Sequence, residues 1–246
     1  MSRLDGVGIS RPAVRPFDVL LLDFGGVCLV SPVELHRHVE TRFGLAEGTL
    51  HWTGPISPAD DPLYMESIGS DGITEREYWE IRARQIGDLA GMEVDTRAYM
   101  RTAYDHDEDH LIRPEAAAVR AAAAAAGMGV SVLTNDLRAF HDDEWVKGIS
   151  FLTAVDQVID LSHRGILKPA REAYELALSH LGASADRVLF VDDQPANVTG
   201  AEAVGMAAMW FDISRAARSW QAVAERIGVH PDLPARSSPA TTEKRR

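Results

Sequence analysis

The chain alternates short, uninterrupted apolar runs with longer stretches in which apolar residues recur every three or four positions. Four runs stand out, at 17–22, 128–133, 187–191 and 206–211, and a fifth lies at 155–161. Runs of this length, closed by turn residues, predict strands buried on both faces, as in a parallel sheet. Between them the helical spacing predicts helices at 114–126, 137–147, 170–181, 195–204 and 214–227. Pro114 and Pro195 suit a first helical turn, while Gly127, Gly182, Gly205 and Gly228 fall just past helix ends. Strand and helix in alternation predict a doubly wound α/β domain.

Residues 31–112 break that rhythm and contain no convincing buried strand. Ser31-Pro32 opens a helix with Leu35, Val39 and Phe43 on one face. Thr74 and Glu77 form a capping box that opens a second helix at 75–86, and Asp95 caps a third that runs through Tyr104. A helical module inserted after the first strand would stand above the carboxyl ends of the sheet, where open α/β sheets bind ligands. The alanine run at 121–126 is good helix former and marks no repeat.

Composition narrows the partners. Hydrophobic residues make up 46% and charged residues 25%, ordinary for a globular chain. The net charge of -12 argues against nucleic acid or an anionic membrane as partner, because phosphate backbones are held by clustered Lys and Arg. Cys28 is the single cysteine, which excludes a disulfide framework and suits a small buried filler. No basic start is followed by a long apolar stretch, so a cytoplasmic protein is expected. The leader at 1–13 and the tail at 230–246, rich in Pro, Ser, Thr and charge, are expected to be flexible.

The chemistry lies at the strand ends. Asp23 follows the first apolar run and precedes Gly25 and Gly26. Downstream, in order, come Thr134-Asn135 after the second run, Lys168 before Pro169, and Asp192-Asp193 after the run at 187–191. Two adjacent carboxylates repel, and a bound cation is the natural way to keep both ionised. This ordered set resembles the haloacid dehalogenase-like hydrolase superfamily, in the branch with a helical cap between its first and second motifs. The resemblance spans about 15–228 and implies a Rossmann-like core at 14–30 and 113–229 with a cap at 31–112. It implies Asp23 as a nucleophile that forms an aspartyl-phosphate, and Thr134, Asn135, Lys168 and Gly26 as phosphate contacts. It further implies Mg²⁺ held by Asp23, the Gly25 carbonyl, Asp192 and Asp193, with Asn197 orienting its neighbours, and a small phosphorylated metabolite as substrate.

Gly25 departs from the pattern, because most phosphatases of this family carry there an Asp that protonates the leaving alcohol and activates water. Such general acid–base help contributes roughly 10²–10⁴ in rate. Three readings stay open. The first is a Mg²⁺-dependent phosphatase in which a cap residue (Glu34, His36 or His38) replaces the acid, or whose leaving group needs none. The second is a 2-haloacid dehalogenase, a class without metal, against which Asp192-Asp193 argues. The third is a weak or inactive binding or regulatory protein. Of the remaining features, the acidic and histidine-rich run at 105–110 reads as a solvated hinge, and His51-Trp52 as a loop that either packs or closes on substrate.

Overall fold

The computed structural model describes residues 15–68 and 72–233. Five parallel strands form one sheet: β1 (Val19–Leu22), β2 (Gly129–Thr134), β3 (Gln157–Asp160), β4 (Val188–Asp192) and β5 (Ala207–Trp210), in the order β3-β2-β1-β4-β5. All five sequence-predicted strands are present, shortened or shifted by a residue or two at their ends. β1 is central, with Leu20 opposite Val130 of β2 and Leu189 of β4. Alternate residues of β1 face opposite layers. Leu20 and Leu22 join the side packed by the helices Pro114–Ala125 and Ala216–Ile227. Leu21 joins the other, with Ala173, Tyr174 and Ala177 of Arg171–Leu181 and Ala201 of Pro195–Ala203. Leu20, Leu21 and Leu22 are all fully buried, which is why β1 reads as an unbroken apolar run.

The helix expected at 137–147 is instead two short ones, Leu137–Phe140 and Asp143–Gly148, with a third, Ser150–Thr153, just beyond. The break comes at His141-Asp142. Asp142 turns its carboxylate onto the Trp145 amide (2.8 Å) and so starts a new helix, while His141 buries and stacks flat on Trp145.

Among the described residues of 31–112 every regular element is a helix, as the sequence predicts. A 3₁₀ turn at Pro32–Leu35 leads into α1 (His36–Phe43); α2 (Pro62–Ser67), α3 (Glu75–Ala90) and α4 (Thr96–Ala103) follow. α3 runs a turn further than its apolar spacing indicates and ends at Gly91 in the left-handed region. The sequence reading missed α2, although Asp61-Pro62 is a cap followed by a first-turn proline. The 105–110 run has local partners: Asp105 pairs with Arg42, His106 lies against His38, and Glu108 accepts from the Ser150 and Phe151 amides. Trp52 packs against His36 and under the Arg82 guanidinium. One hydrophobic cluster runs without a gap from Leu20 and Leu22 through Leu29 and Tyr104 to Tyr78, Ile86 and Tyr99 of the helical segment. The expected leader at 1–13 and all but 230–233 of the expected tail lie outside the described residues. Among the described residues no helix is long and apolar enough to cross a membrane.

Asp61 anchors the helical segment from within. Its buried carboxylate accepts from the Gly54 and Tyr64 amides (3.0 and 3.1 Å), the Tyr78 hydroxyl (2.9 Å) and the Arg82 guanidinium (2.5 Å). Removing one partner of a buried pair strands the other charge. Asp61→Ala should therefore lower stability in chemical denaturation by about 3–5 kcal/mol. A loss under ~1 kcal/mol would contradict this account, since that is the scale of an exposed pair.

Candidate active site

The carboxyl ends of β1, β2 and β4 converge on one side chain. The Lys168 ammonium donates to Asp23 Oδ1 (2.6 Å), Asp192 Oδ2 (2.7 Å) and the Leu133 carbonyl (3.0 Å). An ammonium has three donors, and all three are used. Burial alone would make Lys168 easier to deprotonate, but the Asp192 and Asp23 carboxylates outweigh it and hold the group charged. Asn135, the residue after β2, sets the lysine's backbone: its Oδ1 accepts from Lys168 N (2.8 Å) and its Nδ2 donates to Lys168 O (3.1 Å). The Asn135 amide is thereby engaged at both ends.

The acidic pair divides in two. Asp192 is fully buried and saturated, accepting from Lys168, from Asn197 Nδ2 (3.0 and 3.1 Å) and from the Gln194 amide (2.8 Å). Asn197 is held in turn, since its carbonyl accepts from the Tyr174 hydroxyl (2.7 Å). Asp193 is only partly buried, and no donor among the described residues reaches its carboxylate. Burial, then the neighbouring Asp192, Asp23 and Glu75 charges, raise its carboxyl well above the usual range. Asp23 is raised as well, by burial first and by Asp192 and Glu75, with Lys168 opposing. The pocket thus gathers more carboxyl groups than Lys168 pairs with.

Asp23 continues the β1 ladder through its amide to Val191 O (2.8 Å), and the turn after it closes on Phe24 O, which accepts from the Cys28 and Leu29 amides. Cys28 is buried and donates its thiol to Asp23 O (3.2 Å), the filler role expected of it. Gly26 has φ 73°, and a Cβ there would meet Ile213 Cδ1 at 2.7 Å and Asp193 Oδ2 at 3.3 Å. Gly25 has neither constraint: its φ is not positive and nothing lies within 4 Å of an added Cβ. Thr134 is buried at the tip of β2, and no group among the described residues binds its hydroxyl.

Asp23, Gly25, Gly26, Thr134, Asn135, Lys168, Asp192 and Asp193 all border one pocket, together with Leu29, Pro32, Tyr64, Trp79, Met100 and Tyr104 from the helical segment and its approach. The three candidates for a substitute acid do not border it, which corrects the sequence reading. Glu34 is clasped by Arg113 (2.6 and 3.1 Å), whose Nε also holds the Gly26 carbonyl (3.0 Å). His36 is turned onto Trp52, where burial lowers it to about 4. His38 bonds Thr102 O and lies on His106. The pocket carboxylate that the sequence reading missed is Glu75, the first residue of α3. Its Oε2 accepts from Gln194 Nε2 (2.7 Å) and its Oε1 from Trp79 Nε1 (3.4 Å). Burial, then Asp136, push it up to about 7. Only its place at a capped helix start was legible in the sequence.

Asp23, Thr134 and Asp192 thus stand at the ends of β1, β2 and β4, and Lys168 reaches Asp23 and Asp192 from the segment after β3. The family model for haloacid dehalogenase-like hydrolases matches residues 17–205, and the chain belongs to that family. The fold is similar to that of the HAD-hydrolase YfnB from Bacillus subtilis, solved bound to magnesium: 15% identity over 80% of this chain and 87% of that one, with a TM-score of 0.58. It is also similar to a solved dehalogenase at 18% identity, covering 80% of this chain and 85% of the other, with a TM-score of 0.51. Comparison with curated proteins gives no match.

The two glycines of the turn should behave differently. Gly26→Ala meets both a left-handed backbone, worth about 1–2 kcal/mol against a residue with a Cβ, and the contact with Ile213. Gly25→Ala should change unfolding free energy by no more than ~0.5 kcal/mol. Equal losses in thermal or denaturant unfolding would refute the distinction.

Proposed function

We propose that the protein is a Mg²⁺-dependent phosphohydrolase that cleaves a small phosphomonoester through an aspartyl-phosphate on Asp23. The single observation that carries this reading is Asp193, a carboxyl that no donor among the described residues reaches, in a pocket with more carboxyl groups than Lys168 pairs with. The donor set suits a hard divalent cation, which prefers oxygen ligands and keeps several waters. Asp193, Asp23 and the Gly25 carbonyl would hold it, while Asp192 serves to orient Lys168 and Asn197. When bound, Mg²⁺ supplies positive charge that offsets the phosphoryl oxygens.

The chain's own residues account for the rest. Asp23 Oδ attacks phosphorus, and Lys168 steadies the carboxylate and the incoming negative charge. Thr134 offers its free hydroxyl to a phosphoryl oxygen. Asn135 acts on Lys168 through the backbone, a positioning role. Residues 31–112 work as a cap over the core at 14–30 and 113–229, and the apolar side chains they add to the pocket favour a carbon-rich alcohol. In phosphoryl transfer positioning and charge neutralisation do most of the catalytic work, and these residues supply both.

Turnover of p-nitrophenyl phosphate should require Mg²⁺, stop with chelator, and fall at least ~10³-fold in Asp23→Asn, as expected for loss of a nucleophile. Metal-independent turnover that survives the substitution, or halide release from 2-haloacids, would overturn the reading.

A further inference from the structure

Gly25 leaves the reaction without a proton donor, and the pocket contains one carboxylate that neither pairs with a cation nor belongs to the Asp23, Asp192 and Asp193 set and that comes from the helical segment. We propose that Glu75 takes over both halves of the missing acid–base role, protonating the leaving oxygen and then activating water. The proposal rests on the phosphohydrolase reading above and adds a residue to it.

Three observations carry it. Glu75 borders the pocket that Asp23 and Asp193 border, and its partner Gln194 directly follows Asp193 in the chain. Its two oxygens are each fixed by a single neutral donor, Gln194 Nε2 and Trp79 Nε1, so the carboxyl is aimed without being neutralised. The other carboxylate on the pocket outside that set, Asp136 just after β2, is spent on Arg76 (2.5 Å). Burial beside Asp136 also favours the protonated form that a general acid needs.

The chemistry balances. Asp23 Oδ forms a bond to phosphorus as the ester P–O bond breaks, and the Glu75 proton passes to the departing oxygen to give a neutral alcohol. The Glu75 carboxylate then takes a proton from water. That water's oxygen bonds to phosphorus, the Asp23 O–P bond breaks, and phosphate, the Asp23 carboxylate and protonated Glu75 result.

The test compares leaving groups in the Mg²⁺-loaded enzyme. An alkyl phosphate such as butyl phosphate needs the proton, whereas p-nitrophenolate leaves without one. In Glu75→Gln, which keeps a side chain able to bond Gln194, kcat on butyl phosphate should fall about 10²–10⁴-fold. On p-nitrophenyl phosphate the same variant should still release the first equivalent of nitrophenol at close to the wild-type rate. It should then slow as the aspartyl-phosphate waits for an activated water, so a burst appears that the wild type lacks. Adding Gly25→Asp to Glu75→Gln should restore much of the butyl phosphate rate, because space for a side chain exists at position 25. An equal loss on both substrates with no burst would make Glu75 merely structural and overturn the inference. So would unchanged rates, and in both cases the phosphohydrolase reading would stand on the Asp23→Asn result. Wild-type protein inert toward both esters would overturn reading and inference together.

Discussion

The Lys168 ammonium is the constraint on which the rest of the centre depends. It is buried, carries a full charge, and spends its three protons on β1 through Asp23, β2 through Leu133 and β4 through Asp192. A buried cation is tolerable only with such complete pairing, because desolvation would otherwise dominate. The pairing therefore fixes the mutual register of three strand tips as well as the charge of the pocket floor. Asn135 and Asn197 serve the same end from either side, one holding the lysine's backbone and the other its Asp192 partner. What remains unmatched is Asp193, and that asymmetry between adjacent aspartates makes the floor chemically directional.

The helical segment approaches this floor through the first turn of α3. Arg76 reaches Asp136 and the Ser162 carbonyl (3.1 Å) beyond β2 and β3, while Glu75 reaches Gln194 beyond β4. Two consecutive residues thus span the mouth in opposite directions. Their side chains leave a helix start that Thr74 and Glu77 have already satisfied, so neither is needed for capping.

Much of this was legible in the sequence, and the limits have physical causes. The inner strands β1, β2 and β4 announce themselves as apolar runs because both faces are covered, and Asp23, Thr134 and Asp192 fell at their tips. The half-buried edge strands β3 and β5 carry the same apolar pattern and were found with them. Lys168 was legible through its order in the chain. The broken helix after β2 was not, because Asp142 competes locally with a helical pattern that continues past it. Glu34, His36 and His38 misled because helical spacing gives a face but no partner, and their partners lie far off: Arg113 is 79 residues from Glu34, and His38 bonds Thr102 64 residues away. Glu75 was missed for the same reason, since its bond to Gln194 joins residues 119 apart. Asp192 and Asp193 look equivalent as letters and differ only in what surrounds them.

The apolar cluster that runs unbroken from β1 into the helical segment carries a last consequence. The helical segment is joined to the sheet by the same burial that drives the chain to fold. The apolar side chains that the helical segment brings to the Asp23 pocket are thus placed by folding itself rather than by the arrival of a substrate.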